Sequence, residues 1–567
     1  MSSATTTSNN SSGDCLKQRS VVSSLIFSPD DGATPRVALF RRSSKVRTYT
    51  HHLAPISGSI ETSDPTPLSA ALRELREETT LTLSNLSLWR QGKPFTFADL
   101  SVGREWTVYP FAFRLKTRKD EKRIKIDWEH GGWGWYDPFA VEDSEKFGGV
   151  PKLHETLRRT FWEADLGPEV GRVLSEGCEE LRTDYVSGAR VMATNALKTL
   201  RRVVAELPLP STSEGNEGLL RVHERQWAAI RMAAWHLVKN GRESMGAAIL
   251  SVLLSALTEI DEVRIAAQSP REGREKTLEL LDRRIQGRES GGGGAGAVAR
   301  TLSDYLQRQF RTKVERGEPL RMLTLSESST IRLAISQLAM VTDLKLDLRV
   351  LESRPLFEGV SLAASLAKEF DSAAKARAGA SLPAQSHRIT IYTDAEVALA
   401  AADSGGVDVV VIGADRIAAS GAVSNKTGSL PTVLSAKHVT GGRAKVLVLG
   451  ETEKIAMPGR PEDHVVEENA AEQVTEAWDA AGRKSGPVCD ATTALEERMR
   501  TELESLEGGD ESARSRLTVS VRNVFFEWCP PELIDVYVTE RGEWEAEDIA
   551  MHSQRLQELE QRFFGGL

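Results

Sequence analysis

Gly58-Ser59-Ile60-Glu61-Thr62-Ser63-Asp64 leads into a run containing Arg73-Glu74-Leu75-Arg76-Glu77-Glu78. Residues 67–81 read as one amphipathic helix. Thr66 suits the N-cap, Pro67 the first helical position, and Leu68, Ala71, Leu72 and Leu75 share an apolar stripe. Glu74, Glu77 and Glu78 stand at i, i+3 and i+4, so their carboxylates crowd a neighbouring face. Arg73 lies one turn before Glu77 and can orient it. Two readings of that face are open. Most charge runs are solvated faces. Acids at this spacing otherwise repel one another unless a cation sits between them, and a hard divalent ion such as Mg2+ suits carboxylate oxygens. The glycine loop before the helix and the arginine inside it favour the second reading.

The same residues resemble the Nudix box, Gly-x5-Glu-x7-Arg-Glu-Φ-x-Glu-Glu-x-Gly-Φ, with Φ a bulky aliphatic. This chain reads Gly58-x5-Asp64-x8-Arg73-Glu74-Leu75-Arg76-Glu77-Glu78-Thr79-Thr80-Leu81. It departs from the pattern in Asp64 for Glu, in one extra loop residue and in Thr80 for the closing Gly. The resemblance implies an α/β/α sandwich with a mixed sheet. It also implies an enzyme that hydrolyses a nucleoside diphosphate-type small molecule, with Mg2+ (or Mn2+) as cofactor. It carries over Glu74, Glu77 and Glu78 as metal ligands, with Glu77 and Glu78 as catalytic candidates; one of the box acids or a nearby acid would position the attacking water. Gly58 and Arg73 become substrate-binding positions. Val37-Ala38-Leu39-Phe40-Arg41-Arg42 reads as a strand before the box, and residues 106–113 as a strand after it. Trp133-Gly134-Trp135-Tyr136-Asp137-Pro138 closes the same fold.

The chain's 567 residues exceed one core and imply several domains. A net charge of −9 argues against nucleic-acid binding through a basic surface, so no direct nucleic-acid partner is expected. Cys15, Cys178, Cys489 and Cys529 are scattered and form no C-x-x-C pair, which suits a reducing compartment and neither a zinc site nor a disulfide scaffold. No run approaches the ~18 apolar residues of a membrane span. Residues 1–17 lack the order of a signal peptide and read as a disordered tail, so a cytoplasmic location without membrane is expected.

Composition then divides the chain into a Nudix-like domain (18–167), a helical part (168–315) and a C-terminal part (316–567) interrupted by a charged excursion around 458–516. In the helical part, residues 169–207 and 219–281 read as helix, apart from a loop at 269–275. The glycine run at 291–296 reads as a flexible surface insertion. Strands are expected at 321–325, 346–351, 388–392, 407–412 and 445–449. The runs at 407–412 and 445–449 are almost continuously apolar, as strands buried on both faces are. With helices between them, these strands predict a doubly wound parallel sheet. Ligands of such sheets bind beyond the carboxyl ends of the strands, where Ser326-Glu327, Glu352-Ser353-Arg354, Thr393-Asp394, Asp415-Arg416 and Glu451 gather.

Val407-Asp408-Val409-Val410-Val411-Ile412-Gly413-Ala414-Asp415-Arg416-Ile417, with Asn425-Lys426-Thr427-Gly428, resembles a second family. It is shared by the alpha, beta and delta subunits of translation initiation factor 2B and by aldose-phosphate isomerases such as methylthioribose-1-phosphate isomerase. Glu352-Ser353-Arg354-Pro355-Leu356-Phe357-Glu358-Gly359, Arg242-Glu243-Ser244-Met245-Gly246 and Pro530-Pro531-Glu532-Leu533-Ile534-Asp535 support it. The fold implied is a helical subdomain followed by a Rossmann-like sheet, giving an α/β multidomain chain. The resemblance makes Asp415 the acid/base candidate, Asn425 and Lys426 substrate contacts, and Arg242 the phosphate ligand, with a sugar phosphate as the possible partner molecule. Ser326 stands where the isomerases have a catalytic Cys, Ser187 where they have an Arg and Glu358 where they have a Gln. A hydroxyl is a far poorer acid/base than a thiol at neutral pH, which counts against isomerisation. Two alternatives stay open: a noncatalytic subunit related to factor 2B, and an isomerase acting through Asp415. The family's habits also imply a homodimer or association with factor 2B-like subunits.

Overall fold

A computed structural model describes residues 16–30, 32, 34–184, 187–209, 216–290, 294–342, 344–379, 387–461, 464, 468–476 and 520–567. Side chains at 216–223, 341, 373 and 376–379 are left aside. Nearly all of the expected tail, and most of the 458–516 excursion, lie outside the described residues. The chain divides into two compact units, Met1–Glu176 and Gly177–Gly566.

The first unit is built on an eight-stranded mixed sheet. Its strands are β1 (Lys17–Phe27), β2 (Val37–Arg42), β3 (Leu53–Ala54), β4 (Ile56–Ser59), β5 (Leu86–Gln91), β6 (Phe95–Asp99), β7 (Arg104–Leu115) and β8 (His130–Tyr136). The order β3-β2-β1-β7-β5 has one parallel pair, β1 with β7; β4 pairs with β1, β6 with β7 and β8 with β2. Strand alternation sorts side chains between two cores. Val22, Ile26, Ala38 and Phe40 pack with Ala70, Ala71 and Leu75 of helix α1 (Pro67–Thr79). Leu25, Phe27, Val37 and Leu39 pack with Leu153 and Leu157 of α2 (Leu153–Arg158) and with Phe161, just ahead of α3 (Glu163–Leu166). One sheet with helices on both faces is the expected α/β/α sandwich.

Helix α1 stops two residues short of the expected end. Thr80 takes the left-handed conformation (φ 61°) and its N–H caps the Arg76 carbonyl. The helix needs a left-handed residue there, and a β-branched side chain adopts that conformation at a cost. Its hydroxyl donates to the Arg123 carbonyl at 3.0 Å, which returns part of that cost. Thr80→Gly is therefore expected to stabilise the unit by about 0.5–1 kcal/mol, seen as a higher melting temperature.

The division between units falls within α4 (Pro168–Thr183). Helices α5 (Ala189–Glu206), α6 (Asn216–Lys239), α7 (Gly246–Ala266), α8 (Pro270–Glu289), α9 (Gly294–Gln309) and α10 (Arg311–Arg316) follow. The 269–275 loop expected from sequence is helix instead: Ser269 accepts from the Glu272 N–H and Pro270 occupies the first turn of α8. Gly294-Ala295-Gly296 likewise open α9 rather than extending a loop, while 291–293 lie outside the described residues. The stretch Glu243–Ala266 is apolar and long enough to cross a membrane by composition, yet 67% of its apolar 18-residue segment is buried within the protein, as a core helix is.

The second sheet contains β9 (Leu320–Leu325), β10 (Leu346–Leu351), β11 (Arg388–Tyr392), β12 (Val409–Ile412), β15 (Lys445–Leu449), β17 (Val536–Thr539) and β18 (Gly542–Trp544). Its order is β11-β10-β9-β12-β15-β17-β18, parallel except for the last strand. A small antiparallel sheet of β13 (Arg416–Ile417), β14 (Val423–Lys426) and β16 (Phe526–Cys529) lies beyond β12 in the chain. Val409, Val411 and Leu447 share one core with α9, α11 (Ser329–Val341) and α12 (Glu358–Gly379). Val410, Ile412 and Val448 share the other with α13 (Val397–Ala402), α14 (Ser429–Val439) and α15 (Ala546–Phe564). The sheet is thus doubly wound, and the strand order reverses direction between β9 and β12, where such sheets open a crevice.

Candidate functional site

In the first unit, α1 presents its acids beside β4. The Arg73 guanidinium grips Asp64 with Nε and Nη2 at 3.1 and 2.9 Å. Nη1 donates to Glu74 at 2.7 Å and to Glu77 at 3.3 Å, and Nη2 reaches the Ser59 carbonyl at 3.0 Å. Arg73 therefore does more than orient Glu77: it ties the glycine loop to the acidic face. Its bonds hold the Asp64 carboxyl below the usual range. Gly58 is needed at its position because a Cβ there would fall 1.9 Å from the Glu74 carboxyl carbon. That obstacle is the end of a flexible side chain, so Gly58→Ala should leave the fold intact and push Glu74 off Arg73. A loss of roughly ten-fold or more in turnover is expected from such misplacement, with a modest fall in melting temperature from the lost Arg73–Glu74 pair.

Glu78 lies deeper, 4% exposed, with Oε2 2.5 Å from His130 Nε2 on β8. Burial, then the charges of Glu74, Glu129 and Asp127, push its carboxyl up to about 10. Burial also lowers His130 to about 4, so the imidazole is neutral at pH 7. His130 Nδ1 is buried without a partner among the described residues. A bare lone pair is a cheaper orphan there than an N–H donor. That places a proton on Nε2 once Glu78 is ionised, and a carboxyl raised to about 10 ionises at pH 7 only with a cation beside it. The oxygen donors of Glu74, Glu77 and Glu78, supported in this way, fit a hard divalent ion. As they stand, no three acidic, histidine or cysteine side chains among the described residues converge tightly enough to grip one. Arg73 draws on Glu74 and Glu77, while His130 engages Glu78. Glu77 is the open member, with its side chain 52% exposed.

In the second unit, a cleft of about 630 Å3 opens at the reversal point between β9 and β12. It gathers Arg242, Ser326, Glu358, Asp415, Asn425 and Lys426. Asp415 follows β12, and burial pushes its carboxyl up, opposed by Lys454, Lys426 and Arg242 and reinforced by Glu358. Asn425 donates to the Ser429 hydroxyl at 2.8 Å, and Arg242 to the Asp184 carbonyl at 2.8 Å. Ser326 (φ 61°) donates to Glu358 at 2.9 Å, and Glu358 pairs with Lys426 at 3.2 Å. The two residues that replace the isomerase Cys and Gln are therefore bonded to each other. Cys529 is a packed thiol that burial pushes up to about 12. Sequence reasoning missed His130, Glu129 and Lys454; no motif marks them, and only the fold brings them in.

Residues 17–161 match the model of the NUDIX domain, and residues 379–546 that of the Initiation factor 2 subunit family. The chain is 35% identical over 200 residues to a probable bifunctional methylthioribose-1-phosphate isomerase/methylthioribulose-1-phosphate dehydratase of Nocardia farcinica, covering 34% of this chain and 31% of that one. It is 34% identical over 155 residues to methylthioribose-1-phosphate isomerase of Aspergillus clavatus, covering 27% and 35%. The chain thus spans about a third of the length of these curated relatives. Among solved structures, translation initiation factor eIF-2B of Pyrococcus horikoshii OT3 aligns at 18% identity with a TM-score of 0.34, over 66% of this chain and 96% of that one. The 5-methylthioribose 1-phosphate isomerase of the same organism aligns at 19% with 0.40, over 68% and 88%.

Proposed function

We propose, for a chain that joins a NUDIX domain to an Initiation factor 2 subunit family domain, that the first is a divalent-metal-dependent hydrolase of a nucleoside diphosphate-type pyrophosphate. The observation that carries this is the Arg73 hub, which fixes Asp64, Glu74, Glu77 and the Ser59 carbonyl together. Glu74, Glu77 and Glu78 would hold Mg2+ or Mn2+, which when bound neutralises pyrophosphate charge and lowers the pKa of water. The exposed Glu77 accepts the proton of the attacking water, with its carboxylate steadied by Arg73. Glu78 would be ionised with a cation bound there, and His130 Nε2 would then donate to it. Incubating the full chain with Mg2+ and a panel of nucleoside diphosphate compounds tests this. Turnover that stops on chelation is expected; no turnover of any member sinks the proposal.

The second domain, on this reading, binds a sugar phosphate or nucleotide without isomerising it. Glu358 engages Ser326 and neutralises Lys426, the groups an aldose phosphate needs for proton transfer and charge pairing. No isomerisation of methylthioribose 1-phosphate is expected; isomerisation lost in Asp415→Asn would overturn this. Self-association or association with factor 2B-like subunits belongs to the same proposal, and sedimentation of the full chain measures it. The buried thiols Cys178 and Cys529, which form no disulfide among the described residues, accord with a cytoplasmic setting.

A further inference from the structure

Acidic side chains outnumber basic ones along the second cleft, five to four, so its charge does not suit a ligand with two phosphates. Two of the cations are committed to carboxylates of the chain itself. Arg190 pairs with Glu451 at 2.8 Å, and Lys426 with Glu358 at 3.2 Å. Lys426 is held a second time, because its ammonium lies 3.1 Å from the centre of the Phe525 ring. Arg242 and Lys454 donate to backbone carbonyls, of Asp184 and Ala414. Both act on Asp415, whose carboxyl burial pushes up against their pull. Positive charge in the cleft therefore acts chiefly at the Arg242 and Lys454 end.

Glu358 sets the chemistry elsewhere. It opens α12, where a helix start favours negative charge. One of its oxygens accepts from the Ser326 hydroxyl at 2.9 Å while the other pairs with Lys426. Both members of that ion pair are mostly buried. A phosphate reaching Lys426 would meet a carboxylate already in place, and like charges brought together in a shielded site oppose binding. A hydroxyl meets no such opposition: it can donate to a remaining lone pair of Glu358 and accept from Lys426. Ser328, Ser329 and Thr330, which follow Ser326 in the chain, add further hydroxyls to the lining.

We propose that Glu358 makes this cleft selective for a polyhydroxylated ligand with a single phosphate. The phosphate lies towards Arg242 and Lys454, and a ligand hydroxyl meets Glu358 and Lys426. The selectivity rests on the reading of the cleft as a sugar-phosphate or nucleotide site. Calorimetric titration of the full chain, with chelator present, tests it on matched pairs: fructose 6-phosphate against fructose 1,6-bisphosphate, and adenosine 5'-monophosphate against adenosine 3',5'-bisphosphate. At least one monophosphate binds, and its bisphosphate partner binds roughly 10-fold or more weakly. Glu358→Gln keeps the side-chain shape and an acceptor for Ser326, and shifts that ratio towards the bisphosphate by roughly 10-fold or more. Glu358→Ala shifts it in the same direction, so the effect does not hang on one variant. Adding Lys426→Met to Glu358→Gln abolishes the shift, which assigns it to this cleft and not to the first unit. Equal binding of both partners by the wild type, or a ratio unchanged in both Glu358 variants, overturns the selectivity and leaves the binding reading standing. Binding by none of these proteins defeats the binding reading and the selectivity with it.

Discussion

Glu78→Gln is expected to lower turnover by about 10^3-fold while making the protein more stable. The two effects have one cause. Glu78 is a buried carboxyl surrounded by Glu74, Glu129 and Asp127, and its ionisation is pushed up to about 10. A carboxyl whose folded value lies above its unfolded value of 4.5 weakens the fold as the pH rises through that interval, because the unfolded chain ionises first. Glutamine keeps the shape, can still bond His130, and carries no charge to bury. The gain should be on the order of 1 kcal/mol near neutral pH and should shrink as the pH falls towards 4.5. It should also shrink when Mg2+ is added, since a bound cation favours the ionised wild-type acid. Thermal melts across pH, with and without Mg2+, read this directly. A variant that loses stability along with activity would assign Glu78 a packing role only.

Arg73→Ala should produce the larger structural loss. The arginine is 19% exposed on its side chain and its partners Asp64 and Glu74 are 6% and 13% exposed, so these ion pairs are not solvated surface contacts. Removing the guanidinium leaves those carboxylates facing one another and frees the Ser59 carbonyl. The melting temperature should fall as the tie between loop and helix is lost, and turnover should fall by roughly 10^2-fold as Glu77 loses its orientation. Arg73→Lys should recover little, because a single ammonium cannot bond Asp64 through two nitrogens while also reaching Ser59 and the glutamates. Mg2+ should raise the melting temperature of Arg73→Ala more than that of the wild type. An equal shift in both would mean that the cation does not sit among these acids.

Much of this arrangement was legible in the chain. Thr66, Pro67 and the Leu68–Leu75 stripe defined α1, and the spacing of Glu74, Glu77 and Glu78 placed their carboxylates together. The strands at 409–412 and 445–449 were readable from the apolar runs at 407–412 and 445–449, because burial on both faces leaves such a run. Of the strand ends expected at the rim, Ser326, Glu327, Asp415 and Glu451 line the second cleft, while Glu352-Ser353-Arg354, Thr393-Asp394 and Arg416 do not. What the sequence could not supply were partners from distant segments. His130 lies 52 residues beyond Glu78, and Ser326 lies 32 before Glu358; only register and crossover bring them into contact. Arg73 was expected to serve Glu77, yet its bidentate partner is Asp64, because the loop folds back onto the helix. The start of α8 was present in Ser269-Pro270-Arg271-Glu272 as an N-cap followed by Pro, but the same residues also favour turns.

The central claim is that the acids of α1 bind a divalent cation, and Mn2+ uptake by the intact chain, followed by electron paramagnetic resonance, measures it. The wild type should bind Mn2+ at a site that Mg2+ competes for, and the combined Glu74→Gln, Glu77→Gln and Glu78→Gln variant should weaken that site by 100-fold or more. No uptake by the wild type, or equal uptake by the variant, would contradict it.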